Sequence, residues 1–260
     1  MCRSTRTIPV NSTDYIIIGG GGLFIPDTNP NKISCWQWAI STNLLKKIRS
    51  RIFVISVGWN HFFGQDISMS RTGSNHSDSS RIEIFRENVR ELIMRSEYFS
   101  MRHSSDVKNL LQVVGEDLTD QVNFENCPVF DYVNGRYSQK YRGGDGSIAI
   151  EIKSDRPDRR YLHTSKESFY DELKEFVEYL IIKGERVVIM SHDGGLDFFN
   201  YLLESGIEID LVSNSIEDEE KIIYNYLDLS MIFCTAGHSQ IISYSLGIPT
   251  FSIISHDKLL

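Results

Sequence analysis

Short β-branched apolar runs alternate along the chain with longer stretches in which apolar residues recur every three or four positions. The runs predict buried strands and the recurrences predict helices. Tyr15 to Ile18 is the first run, ending in Gly19-Gly20-Gly21-Gly22. A helix is predicted over Ile33 to Ile48 and a strand over Ile52 to Val57. Gly64 to Ser80, rich in Ser, Gly and Asp, predicts a mobile loop. Arg81 to Met94 places Ile82, Phe85, Val89, Leu92 and Ile93 on one helical face; a strand over Tyr98 to Met101 and a helix over Asp106 to Val114 come next.

The alternation restarts at the strand Ile148 to Ile152. A helix carries Phe169, Leu173, Phe176, Val177, Leu180 and Ile181 on one stripe, then come a strand at Val187 to Met190, a helix at Gly195 to Glu204, a strand at Ile209 to Val212 and an acidic-headed helix from Ile216. Repeated β–α units imply parallel sheets with right-handed crossovers. The expected fold class is therefore α/β, with two Rossmann-type parallel-sheet domains facing a cleft. The expected boundaries are an N-terminal domain over 1–118, a linker over 119–146 and a C-terminal domain over 147–260. The linker is placed where periodicity fails among Pro128, Gly135, Gly143, Gly144 and Gly146, with one strand at Val129 to Tyr132.

The net charge of −8 excludes a nucleic-acid partner, because phosphate backbones are bound through basic surfaces. A small anion remains open if cations gather in one cleft. The four cysteines, Cys2, Cys35, Cys127 and Cys234, form no CxxC pair, so reduced thiols, no metal site and a reducing compartment are expected. The apolar runs are strand-length and no signal peptide is visible, which predicts a cytoplasmic protein without an integral membrane segment, leaving room for peripheral association.

The richest segment is Cys234 to Lys258. A hydrophobic run (Leu229 to Phe233) breaks at small residues, His238 opens a helix, Gly247-Ile248-Pro249 closes it, and Phe251 to Ile254 leads to His256, Asp257 and Lys258. Polar groups thus fall past the carboxyl ends of two parallel strands, where open α/β sheets bind ligands. A His at a helix start also meets the positive end of the dipole, which suits an anion. Arg102 ends a strand before a helix, and His192-Asp193-Gly194-Gly195 comes directly after another strand. Each has a plainer reading. His238 could cap its helix, Arg102 pair with a surface carboxylate, Gly19 to Gly22 only turn the chain, and His192 and Asp193 form a turn rather than line the cleft. The Arg156, Arg159 and Arg160 cluster reads as a solvated loop, and Asp257 with Lys258 as an exposed ion pair.

Several segments occur together in family order: Asp14-Tyr-Ile-Ile-Ile-Gly-Gly-Gly-Gly-Leu, Ile-Ser-Val-Gly at 55 to 58, Phe99-Ser-Met-Arg102, Ala149-Ile-Glu-Ile, and the His238 to Lys258 block. Together they resemble the polysaccharide pyruvyl transferase family, over nearly the whole chain from Asp14 onward. The resemblance implies a GT-B-like fold and transfer of a carboxyethylidene (pyruvyl) group from phosphoenolpyruvate to sugar hydroxyls, on a surface polysaccharide or its lipid-linked precursor. Phosphoenolpyruvate would be a substrate, with no cofactor. His238 matches the family's histidine and Arg102 its strand-end arginine; Gly20, Gly21 and Gly22 match the glycine turn that binds the donor, and Lys258 the terminal basic residue.

The chain also departs from the family. Ala236 stands where an arginine is usual, His103 where an acid is usual, and Asp106 where a serine is usual. An arginine restored at 236 is expected either to point into the His238 pocket or to clash, if Ala236 and Gly237 are small so that the chain can turn tightly. Few residues precede Asp14 or come after Lys258, so a member truncated at both ends is expected. Two other functions stay open: a GT-B glycosyltransferase using a nucleotide sugar, and a catalytically silent relative that binds a glycan or scaffolds a synthesis complex.

Overall fold

Strand β2 (Arg51–Val57) alternates buried Ile52, Val54 and Ser56 with half-buried Phe53 and Ile55, as a strand pressed mainly on one face should. In the computed structural model it lies in a four-stranded sheet with β1 (Tyr15–Gly19), β3 (Ser96–Met101) and β4 (Asn123–Phe124), in the order β1-β2-β3-β4, every pairing parallel. The structure describes residues 14–25, 29–60, 78–141, 143, 146–154, 164–192, 195–214 and 219–253. The chain divides into two units, 1–127 and 128–260.

In the first unit, helix α2 (Asp78–Arg95) buries Phe85, Val89, Leu92 and Ile93. Burying each of these side chains contributes roughly 1.5–3 kcal/mol. The helix predicted over 33–48 is not formed; only α1 (Thr42–Leu45) is helical there. Cys35, Trp36, Ile40, Leu45 and Ile48 are buried all the same, while Ile33 and Leu44 are exposed, and polar side chains replace the helical ladder. Asn31 Nδ2 donates to Trp36 O at 2.7 Å, and Ser34 Oγ to Trp38 O at 2.6 Å. The fully buried Asn88 accepts from Trp36 Nε1 and donates to Ile40 O, each at 2.8 Å. Cys35 takes a left-handed φ of 62°, which no helix tolerates. Helix α3 (Ser104–Val114) starts directly beyond β3.

The division between units falls between Cys127 and Pro128, inside the stretch expected to be a linker. The strand expected at Val129 to Tyr132 is instead the start of helix α4 (Pro128–Tyr137). Pro128 occupies the first helical position, where its missing N–H costs nothing, and the buried Val133 and Tyr137 are one helical turn apart.

The second sheet contains β5 (Ser147–Glu151), β6 (Val187–His192), β7 (Asp210–Asn214), β8 (Leu229–Cys234) and β9 (Thr250–Ser252), all parallel, in the order β7-β6-β5-β8-β9. Helices cover both faces. Helix α5 (Lys166–Ile182) and α6 (Asp197–Glu204) pack with Ile148 and Ile150, while α4, α7 (Glu219–Leu227) and α8 (Gly237–Leu246) pack with Ala149 and Val188. Two-sided cover explains why β5 is buried at every residue. The chain steps outward from β5 to β7, then returns to place β8 on the other side of β5. That reversal makes a topological switch point between the carboxyl ends of β5 and β8. No helix of the described residues is long and apolar enough to cross a membrane.

Candidate active site

At the carboxyl edge of the first sheet, Gly20 and Gly21 adopt φ values of +79° and +69°. These are left-handed conformations that glycine enters without a Cβ penalty. The turn is stitched to the segment after β2: Gly58 N–H donates to Gly21 O at 2.9 Å, and Asn60 N–H to Phe24 O at 2.9 Å. A register shift between Val54 and Val57, where Ser56 has φ 50°, brings Val57 opposite Met101. Such bulges re-aim the residues beyond them. Here the consequence is that Gly58 lies against Arg102. A Cβ on Gly58 would come within 2.4 Å of the Arg102 Nη2 and 3.0 Å of its Cζ.

Arg102 is 7% exposed, and its Nε has no hydrogen-bond partner. Its backbone N–H donates to Val57 O at 3.0 Å, which fixes the residue at the end of β3. The nearby acid on α3 is otherwise engaged: Asp106, 2% exposed, accepts from Trp59 N–H at 3.1 Å. No carboxylate pairs with Arg102 among the described residues. The plainer reading of Arg102 as half of a surface ion pair therefore does not describe it. A buried cation lacking an internal partner is costly, and a bound anion would offset that cost.

The second sheet presents a different edge. Glu151 ends β5 at the switch point and is 2% exposed. Its Oε2 accepts from Ala236 N–H at 3.0 Å, and its backbone O from Thr235 N–H at 3.0 Å. Thr235 Oγ1 in turn accepts from Lys153 N–H at 2.7 Å. The carboxylate thus meets the amino end of α8, favourably for the helix dipole. His238 is exposed in the first turn of α8, one residue beyond Gly237. Ala236 caps that helix without a side-chain hydrogen bond and is 5% exposed. Its methyl group is packed inside, which favours a clash over an arginine that points into a pocket.

Burial first, and the neighbouring Glu151 charge second, push the Cys234 thiol up to about 12. It stays protonated and is no nucleophile. The Tyr226 hydroxyl on α7 is likewise pushed up, chiefly by burial, with Ser239 opposing and Glu151 adding. His192, half-buried at the end of β6, has its Nε2 2.7 Å from that hydroxyl and 3.2 Å from Asn214 Nδ2.

The structure thus brings Gly20, Gly21 and Gly22 into one sheet edge with Arg102, and puts His192 and His238 at the carboxyl edge of the other sheet. Asp193, His256, Asp257 and Lys258, residues 64–77 of the loop expected over 64–80, and the cluster Arg156, Arg159 and Arg160 lie outside the described residues, while 78–80 are the start of α2 rather than loop. Glu151, Tyr226 and Asn214 were not singled out from sequence. A signal existed for two of them, since a polar residue closing an apolar strand, as Glu151 and Asn214 do, marks a carboxyl edge.

No curated protein matches the chain. Among solved structures, nine chains match. One is the Methanocaldococcus jannaschii UDP-GlcNAc 2-epimerase in complex with UDP-GlcNAc and UDP, at 14% identity and a TM-score of 0.52, over 93% of this chain. This chain spans 60% of that structure's length. At such low identity the likeness concerns the fold, and it agrees with a GT-B-like pairing of parallel-sheet domains. The family model described as polysaccharide pyruvyl transferase matches residues 3–257, so the chain belongs to the polysaccharide pyruvyl transferase family.

Proposed function

We propose that the chain transfers a pyruvyl group from phosphoenolpyruvate to sugar hydroxyls of a surface polysaccharide or its lipid-linked precursor, at a cytoplasmic site and without a further cofactor. The observation that carries this reading is Arg102: a cation 7% exposed, its Nε unpartnered, at the carboxyl edge of a parallel sheet. The donor is a small trianion, and a guanidinium fork suits its carboxylate or phosphate. Gly20 to Gly22 let the backbone approach it.

The chemistry asks for proton transfer as well. Protonation of the donor's methylene carbon creates the methyl group and an oxocarbenium-like centre. One sugar hydroxyl adds to that centre and loses its proton; a second displaces the phosphate, closing the ketal. Two hydroxyl protons thus replace the proton gained by carbon and supply the one the phosphate carries off. An exposed imidazole serves as acid or base near neutral pH, and His238 holds that position at the start of α8. Lys258 is assigned to the donor by its match to the family's terminal basic residue.

A second reading, a silent glycan-binding relative, is favoured by Ala236, whose amide is tied to Glu151 where the family carries an arginine. Calorimetric titration separates the readings. Phosphoenolpyruvate should bind the full chain, nucleotide sugars should not, and Arg102→Ala should abolish the heat. Binding of a nucleotide sugar, or of a glycan with no donor affinity, overturns the proposal.

A further inference from the structure

Ser56 has a left-handed φ of 50° although it is not a glycine, and it is 1% exposed within β2. That conformation is unfavourable for a residue with a Cβ, so its surroundings must hold it there. Its hydroxyl donates to Asn126 O at 2.8 Å, with Glu125 O 3.2 Å away, and its N–H donates to Ser100 Oγ at 2.9 Å. Ser100, fully buried, donates in turn to Glu125 Oε2 at 3.0 Å. Both partners are tied to β3: Ser100 belongs to it, and Glu125 N–H donates to Met101 O at 3.0 Å.

The consequence appears two residues on. Strand β2 advances three positions, Val54 to Val57, while β3 advances two, Phe99 to Met101. Side chains alternate along a strand, so one extra residue reverses the face that each later residue takes. Val57 accordingly joins the core cluster that contains Val54, three positions earlier, which regular alternation would forbid. Gly58 then falls on the opposite face, the one Arg102 takes after the core residue Met101. There the missing Cβ leaves room for the guanidinium, because a Cβ would stand 2.4 Å from Nη2 and 3.2 Å from Nε. In a regular pleat Val57 would come to that face, and its branched side chain would compete with the guanidinium for the space.

Resting on the function proposed above for its ligand, we propose that Ser56 is a positioning residue of the anion site in the first unit: its side chain holds the bulge that sets Gly58, rather than Val57, beside Arg102. Ser100 and the backbone at 125–126 are its anchors. Ser56 acts through Arg102 and needs no contact with the donor. A serine in a regular strand would have no use for a left-handed backbone, and strain of this kind gathers where a site must be held in one geometry.

The test compares Ser56→Gly with Ser56→Ala in the full chain. Both remove the hydroxyl, but only glycine takes a left-handed φ freely. If the side chain served packing alone, alanine would be the milder change, because glycine removes more and weakens a strand interior. The inference requires the opposite order. Phosphoenolpyruvate affinity, titrated on folded protein well below each melting temperature, should stay within about threefold of wild type for Ser56→Gly and fall about tenfold or more for Ser56→Ala. A merely structural role would lower the melting temperature and leave the affinity of the folded molecules unchanged. A second readout needs no ligand: in protein labelled with 15N at arginine, the Arg102 Nε–H resonance is identified by its loss in Arg102→Lys. It should keep its shift and its slow solvent exchange in Ser56→Gly and lose both in Ser56→Ala. Ser100→Ala, which takes the acceptor from the Ser56 N–H, is a milder perturbation and should move the resonance in the same direction. Alanine at 56 binding as tightly as glycine, or an Arg102 resonance unmoved in Ser56→Ala or Ser100→Ala, overturns the inference. A wild type that binds no phosphoenolpyruvate overturns the function proposed above instead, and the arginine resonance still decides whether Ser56 positions Arg102.

Discussion

The carboxyl edge of the first sheet buries a cation, Arg102, whose Nε meets no acceptor, whereas that of the second buries a carboxylate, Glu151, which already accepts the Ala236 amide. Glu151 ends β5 and Arg102 directly follows β3, both are at least nine-tenths buried, and among the described residues only the carboxylate has a partner for its charge. A satisfied buried charge is part of the fold; an unsatisfied one waits for something from outside. On that reasoning the first edge has a fixed positive charge suited to an anion, whereas at the second edge Glu151 ties the amino end of α8 to β5.

The largest effect is expected from His238→Ala. Turnover should fall by about 10²–10⁴-fold, the usual worth of a general acid or base. The melting temperature should barely change, because the side chain is exposed. A transfer assay and a circular dichroism melt on one preparation decide it, and near-normal turnover would remove His238 from the catalytic role.

Next comes the first unit's charge. Arg102→Met should weaken donor binding by roughly ten- to hundredfold or more. It should also leave the melting temperature unchanged or raise it, since a buried guanidinium with no carboxylate partner among the described residues is replaced by a side chain of similar reach. Gly58→Ala should act in the same direction through position alone, because its Cβ would meet the Arg102 Nη2 at 2.4 Å. A large loss of stability in Arg102→Met, measured by urea titration, would mean that the charge is part of the fold after all.

Ala236→Arg turns the comparison round by adding a cation at the edge that holds the carboxylate. The methyl group is 5% exposed beside Glu151, so the larger side chain overpacks the turn at a cost of about 1–3 kcal/mol. The expected outcome is a lower melting temperature with no gain in phosphoenolpyruvate affinity. Tighter binding at unchanged stability would show that the position opens onto the donor.

Much of the second sheet was legible because two-sided burial writes itself as apolar runs such as Ile148 to Ile150, and parallel strands need helical crossovers between them. The stretch 33–48 misled because Trp36, Ile40, Leu45 and Ile48 do enter the core, largely on a loop whose order comes from Asn31, Ser34 and Asn88 rather than from a helical ladder. Periodicity reports burial, not the hydrogen bonding that produces it. Val129 to Tyr132 misled differently: Val129 and Tyr132 are exposed, and Pro128 with the buried Val133–Tyr137 spacing sets the segment as helix. Arg102 and His238 were visible as polar residues at strand ends. The burial of Arg102, the carboxylate beneath Ala236 and the contacts of His192 with Tyr226 depend on chain segments distant in sequence, which no local pattern encodes.

A last effect, absent at neutral pH, tests how dry the second edge is. Burial and Glu151 raise the Cys234 thiol from 9.0 to about 12 in the folded chain. Between those values the unfolded chain has lost this proton and the folded chain keeps it. The unfolded state then binds fewer protons, so stability falls as pH rises; the contribution is intact below about pH 9 and is lost progressively above it. The slope from this one group is about 1.4 kcal/mol per pH unit. Urea titrations at rising alkaline pH should therefore show a steeper decline for the wild type than for Cys234→Ala, which starts lower because of the cavity it leaves. Tyr226, raised by the same burial and only last by Cys234, adds its own decline in both proteins, so the difference between the two curves reports mainly the thiol. Parallel curves would mean that water reaches Cys234 and Glu151, and the second edge would then be as open to a ligand as the first.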